Sequence, residues 1–171
     1  MPDWTPSFLE TISERLKCQD YWSSRLAPDA RLEHGLHLAV FVEPFLQFVL
    51  EGKKTVDSRF SVHKRAPYEA VRRGDTVLIK GSGGPVVAVA EVGQAWFYEI
   101  DKKALYSIKA KFGPLLCADD PDFWKSKIES CYATLIQFHR VEAIPPVPCS
   151  KRDRRGWVVL NPTESLQLDF G

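Results

Sequence analysis

The apolar segments of this chain are short, and they cluster in a way that excludes both a helical bundle and a regularly alternating α/β sheet. Residues 36–42, 55–60, 76–80, 85–92, 132–142 and 156–160 each read as a strand. Helical spacing is confined to four places. Thr5-Pro6 starts the first, an N-cap with proline at the first helical position, and Leu9, Ile12 and Leu16 carry it to about residue 18. Pro44 opens the second, in which Phe45, Phe48 and Val49 share a face, and Gly52 supplies the stop. Asp101 caps the third, with Leu105, Ile108 and Phe112 on one side and Gly113-Pro114 as its close; Asp120-Pro121 starts the fourth. Pro145-Pro146-Val147-Pro148 reads as a stiff extended loop. Short strands in this number close into a small barrel decorated by helices, so the expected class is α+β.

A net charge of +1 says little, but its distribution says more. Residues 51–80 carry a local charge of +4 and residues 145–160 a further +3, so the remainder of the chain is net acidic. Each basic run is either a solvated loop or a wall that faces a phosphate-bearing ligand. The four cysteines (Cys18, Cys117, Cys131 and Cys149) are scattered, with no C-x-x-C pair, and read as thiols rather than zinc ligands or disulfides. His34 and His37 have a spacing a metal can use on a helix, but Gly35 and the following strand argue against it. Gly81-Ser82-Gly83-Gly84 lacks the G-K-[ST] ending of a phosphate loop and reads as a hairpin turn. No cofactor or metal is therefore expected. No run approaches the roughly 18 apolar residues of a membrane helix, and Met1-Pro2-Asp3-Trp4 is not a secretory signal, so a cytoplasmic location is expected.

The segment from His37 to Arg59 carries the chemistry. A strand ends in Glu43-Pro44-Phe45, a short helix follows, and then comes Gly52-Lys53-Lys54-Thr55-Val56-Asp57-Ser58-Arg59. Period-two geometry puts Thr55, Asp57 and Arg59 on one strand face. Two cations bracketing one carboxylate make a compact mixed-charge site: Arg59 can pair with a phosphate or a base edge, and Lys54 can meet a phosphate or act as a base. The alternative is a structural Asp57–Arg59 ion pair of small energetic weight.

This element resembles the ASCH domain family, a branch of the PUA-like superfamily whose members carry G-x-K-x-x-E-x-R just after the first helix. Gly52, Lys54 and Arg59 match, and Asp57 stands where glutamate is usual. The Gly74-Asp75 turn into residues 76–79 and the strand at residues 132–138 extend the likeness over about residues 36–160. The resemblance implies a PUA-like β-barrel over residues 36–160, with a helical extension at 1–35 and a tail at 161–171. It also implies a role in binding RNA or a modified nucleoside or nucleotide. Lys54, Asp57, Arg59, Lys64, Arg65, Arg155 and Trp157 are the expected ligand contacts, with Lys151, Arg152 and Arg154 flanking them. Trp157 is either a stacking platform beside these arginines or a core residue among Val158, Val159 and Leu160.

Some ASCH-like proteins are said to cleave RNA, and a small subgroup are amidohydrolases acting on acylated cytidine through lysine, threonine and glutamate. A ribonuclease here would use Lys54 and Asp57, with His63 or His139 moving protons. The amidohydrolase threonine falls on Asp57, which has no hydroxyl to offer.

Overall fold

The computed structural model describes residues 6–27, 33–151 and 154–161. Thr5, Arg152 and the tail beyond residue 161 lie outside the described residues. The elements run α1 (Pro6–Arg15), α2 (Asp20–Arg25), β1 (Leu36–Phe41), α3 (Phe45–Leu50), β2 (Val56–Ser61), β3 (Thr76–Gly81), β4 (Val86–Glu99), α4 (Lys102–Leu116), α5 (Pro121–Lys125), β5 (Tyr132–Val147) and β6 (Trp157–Asn161). The fold is mixed α+β, as the strand pattern implies.

All six strands belong to one sheet of order β2-β5-β4-β3-β1-β6. β1 runs parallel to β3, and every other pairing is antiparallel. The two longest strands, β4 and β5, are interrupted by three register shifts along their shared ladder. Bulges of this kind bend a strand and raise its twist, so the sheet curls into a half-barrel. β2 and β6 are its two free edges.

Three buried clusters hold the curl. Ala39, Phe41, Val77, Ile79, Ile136 and Trp157 fill its inside. Leu38, Leu78, Val89 and Val158 face α1 and α2 through Ile12, Leu16 and Trp22. Val56, Ala133 and Leu135 pack under α4 and α5 against Ile108, Phe112 and Trp124. The aromatic run Trp96-Phe97-Tyr98 is explained by the same helix: Trp96 and Tyr98 sit on the Phe112 ring at 5.0 and 6.5 Å. α2 is pinned to the sheet where Tyr21 donates to Glu91, Gln19 to Glu142 and Arg25 to Thr76.

Two sequence boundaries move. Gly113-Pro114 does not close α4, which runs on to Leu116 and stops where Cys117 turns left-handed. Nor is residues 145–147 a loop, because β5 continues through both prolines to Val147. There β5 pairs with β4 alone, β2 having left it at Gln137, and a proline needs no ladder donor on a free edge. Among the described residues no helix is long and apolar enough to cross a membrane.

Candidate functional site

α3 and the turn after it decide where the basic element goes. Gly52 takes φ +73, a conformation favourable to glycine, and the backbone N–H groups of Lys53 and Lys54 both donate to the Phe48 carbonyl. The chain doubles back under the helix, and Lys54 follows it inward. Only 4% of Lys54 is exposed; its Nζ donates to the Leu116 carbonyl at 3.1 Å and lies over the Phe45 ring at 5.2 Å. Burial holds the Lys54 ammonium below its ordinary pKa, with the carboxylate of Asp57, 3.7 Å away, opposing that shift.

Asp57 is as buried as Lys54 and also serves Arg59, whose Nε donates to Oδ2 at 2.6 Å. The two residues share a strand face, as the period-two reading requires, and that face turns toward the inside of the half-barrel. Arg59 Nη1 then donates to two backbone carbonyls, of Val40 at 3.0 Å and Gly156 at 2.8 Å. Its guanidinium lies over the rings of Phe41 (5.0 Å) and Trp157 (5.4 Å). The three residues therefore form one relay, Lys54–Asp57–Arg59, with only the arginine end reaching solvent. It crosses the gap between the edge strands β2 and β6.

That gap is a cleft of about 1000 Å³. Arg59, Phe60 and Ser61 come from β2, Trp157 and Val159 from β6, and His63 and Arg65 from the loop after β2. Lys127, Arg154 and Arg155 complete the cationic wall, and no carboxylate lines it among the described residues. Arg59, Arg154, Arg155 and Gly156 also border a second compartment of about 690 Å³, which Lys80, Ser82, Cys149 and Lys151 close.

The structure brings Arg59, Arg65, Arg155 and Trp157 together at this cleft and leaves Lys54 and Asp57 beneath its floor. Lys64 stands outside it, with its ammonium over the rings of Tyr68 (5.7 Å) and Tyr132 (5.6 Å). Trp157 is 3% exposed and belongs to the core, offering the cleft an edge rather than a face. Its Nε1–H donates to His37 Nδ1 at 3.2 Å, and His37 Nε2 meets Asp75 Oδ2 at 2.8 Å. His37 is thus a buried strut and not a metal ligand. His139 packs its ring against Gly93 on the β4–β5 ladder, away from the cleft. Sequence reasoning passed over Lys127, which follows α5 and rests on the Phe60 and Phe123 rings at 5.7 and 4.8 Å. Half-buried there, its ammonium is held below its ordinary pKa by desolvation.

No protein-family model matches the chain, and no curated protein matches it. Solved structures do. The ASCH protein of Zymomonas mobilis aligns over 74% of this chain and 87% of its own, with TM-score 0.57 and 13% identity. A single-residue variant of that protein aligns over 75% of this chain and 90% of its own, with TM-score 0.58 at the same 13% identity. At this identity the likeness establishes the fold, and the fold is that of an ASCH domain.

Proposed function

We propose that this ASCH-type fold binds single-stranded RNA in the cleft between β2 and β6. The composition of the wall carries the reading: five Lys and Arg side chains and His63 converge on one hollow with no acid among the described residues. In a chain whose net charge is only +1, such segregation concentrates positive potential where the surface is concave. Arg65, Arg154, Arg155 and Lys127 meet phosphates. Phe60 and the edge of Trp157 supply apolar surface for a base. An anion beside Lys127 also offsets the cost of holding that ammonium half-buried. Lys54 and Asp57 act indirectly in this reading, by fixing Arg59.

Titration of a labelled eight-nucleotide oligouridylate at rising salt tests the proposal. Affinity falls with salt by about 0.7 logarithmic units per contacted phosphate for a single strand, and Arg65→Ala and Arg155→Ala each flatten that slope. Absence of binding at low ionic strength, or slopes untouched by both variants, rejects it.

His63 supports cleavage of the bound RNA as a second reading, being the cleft-lining group, among the described residues, of a type that exchanges protons near neutrality. Loss of intact RNA that stops in His63→Ala, with binding retained, is its signature.

A further inference from the structure

Buried charges in this protein come with partners, and Lys80 is the exception. Lys54 has Asp57 and the Leu116 carbonyl, and His37 and Asp75 have each other. Lys80 is 3% exposed, yet among the described residues it has no carboxylate in ion-pair reach and no hydrogen-bond partner. Strand alternation places it on the face of Leu78, in the cluster with Leu38 and Val158, so its stem is packed among apolar groups. The β3–β4 register slips between Ile79 and Lys80, beside the point where the strand turns over. There Lys80 lines the second compartment. An ammonium taken out of water without a counter-charge is costly.

Nothing in the compartment neutralises it. Lys151, Arg154, Arg155 and Arg59 add positive charge, and the described residues of the wall include no acid. Burial pushes the thiol of Cys149 up in spite of the nearby Lys80, so no thiolate stands in for one. Ser82 and Ser150 add hydroxyl donors. The arrangement suits a small polyvalent oxyanion.

We infer that this compartment is a phosphate subsite centred on Lys80, which seats the phosphate adjoining the nucleotide held in the first cleft. The inference rests on the RNA-binding reading for its source of phosphate, and the shared wall of Arg59, Arg154, Arg155 and Gly156 supplies the route. A strand lying across that wall places a base on one side and the next phosphate on the other.

Lys80→Met keeps the packed stem and deletes the charge. Thermal unfolding with inorganic phosphate against chloride at matched ionic strength probes the subsite alone. The wild type gains melting temperature from phosphate by mass action, and Lys80→Met loses that phosphate-specific gain. Equal gains in both proteins overturn the subsite, whatever becomes of RNA binding. With RNA, Lys80→Met weakens the eight-nucleotide oligouridylate about tenfold and lowers its salt slope by about 0.7. If uridine monophosphate is weakened to the same degree, the seated group is a terminal phosphate; if only the oligonucleotide is weakened, it is a backbone diester. An RNA affinity that is present and unchanged in Lys80→Met overturns the assignment. RNA binding absent in the wild type while the phosphate response persists rejects the RNA reading and leaves the subsite standing.

Discussion

Arg59 Nη1 donates to the carbonyl oxygen of Gly156 at 2.8 Å, and this contact joins two edge strands that share no ladder. It depends on glycine. A Cβ at residue 156 would stand 2.9 Å from that nitrogen, closer than such contacts occur.

Gly156→Ala should therefore displace the guanidinium and destabilise the fold by about 1–3 kcal/mol, as overpacking does. In an Arg59→Ala background the same change should cost much less. A double-mutant cycle by urea denaturation reads the difference. Equal costs in both backgrounds would show that the strands meet by some other means.

Asp57 compensates two cations at once. Asp57→Ala leaves the buried Lys54 without its carboxylate and removes the 2.6 Å bond that aims Arg59. Loss of one partner from a buried pair costs about 3–5 kcal/mol, and RNA affinity should fall with it although Asp57 does not line the cleft. In Lys54→Met, the further loss of Asp57 should be milder, because one of its two dependants is already gone. Chemical denaturation and RNA titration of the three variants check this ordering.

Stability should rise with pH on the alkaline side, and Lys54 supplies part of the slope. Burial, aided by Arg59 and opposed by Asp57, holds its folded pKa below the ordinary 10.5. Between the depressed value and 10.5 the unfolded chain holds the proton that the folded chain has released, so unfolding grows less favourable as pH climbs. One proton contributes at most about 1.4 kcal/mol per pH unit. Urea midpoints collected up to pH 10 should show a shallower rise in Lys54→Met than in the wild type. Parallel curves would show that Lys54 keeps its proton throughout.

Trp157 is held by a histidine whose tautomer the geometry fixes. An indole nitrogen only donates, so His37 accepts at Nδ1 and donates from Nε2 to Asp75. His37→Phe strands the indole N–H in the core and takes one bond from Asp75, which keeps the N–H groups of Gly35 and Arg72. We expect a loss of about 1–3 kcal/mol together with faster hydrogen exchange at the Trp157 indole. An unchanged indole resonance would mean that its partner lies elsewhere.

Strand periodicity, the α3 stop at Gly52 and the Gly74-Asp75 turn make the half-barrel readable from the residues themselves, because each is a local constraint on the backbone. The misread boundaries depend on neighbours instead. Pro145 and Pro146 look like a loop until β5 is known to have a free edge there. Gly113-Pro114 looks like a stop because a helix can carry a proline so near its end only when the following residues close it, as Cys117 does here. The six-residue α2 has too few turns to show a period. For the site, the face shared by Asp57 and Arg59 follows from alternation, and so does the basic run that supplies Arg154 and Arg155. Burial does not. A lysine at a strand end, such as Lys80, or just past a glycine stop, such as Lys54, is ordinarily solvated, and only long-range strand pairing drives both beneath the surface. Lys127 gave no signal in sequence because its relation to the cleft runs through Phe60, far away along the chain.

The walls of the cleft are supplied by segments 97 residues apart in the chain. Local fraying that frees β6 from β1 would take Trp157 and the arginines before it away from β2 at one stroke, erasing the receptor while most of the sheet stays intact. Occupancy and docking of this last strand are then two ends of a single equilibrium. Whatever fills the hollow acts as a clasp on the barrel, and anything that loosens the clasp ejects the guest.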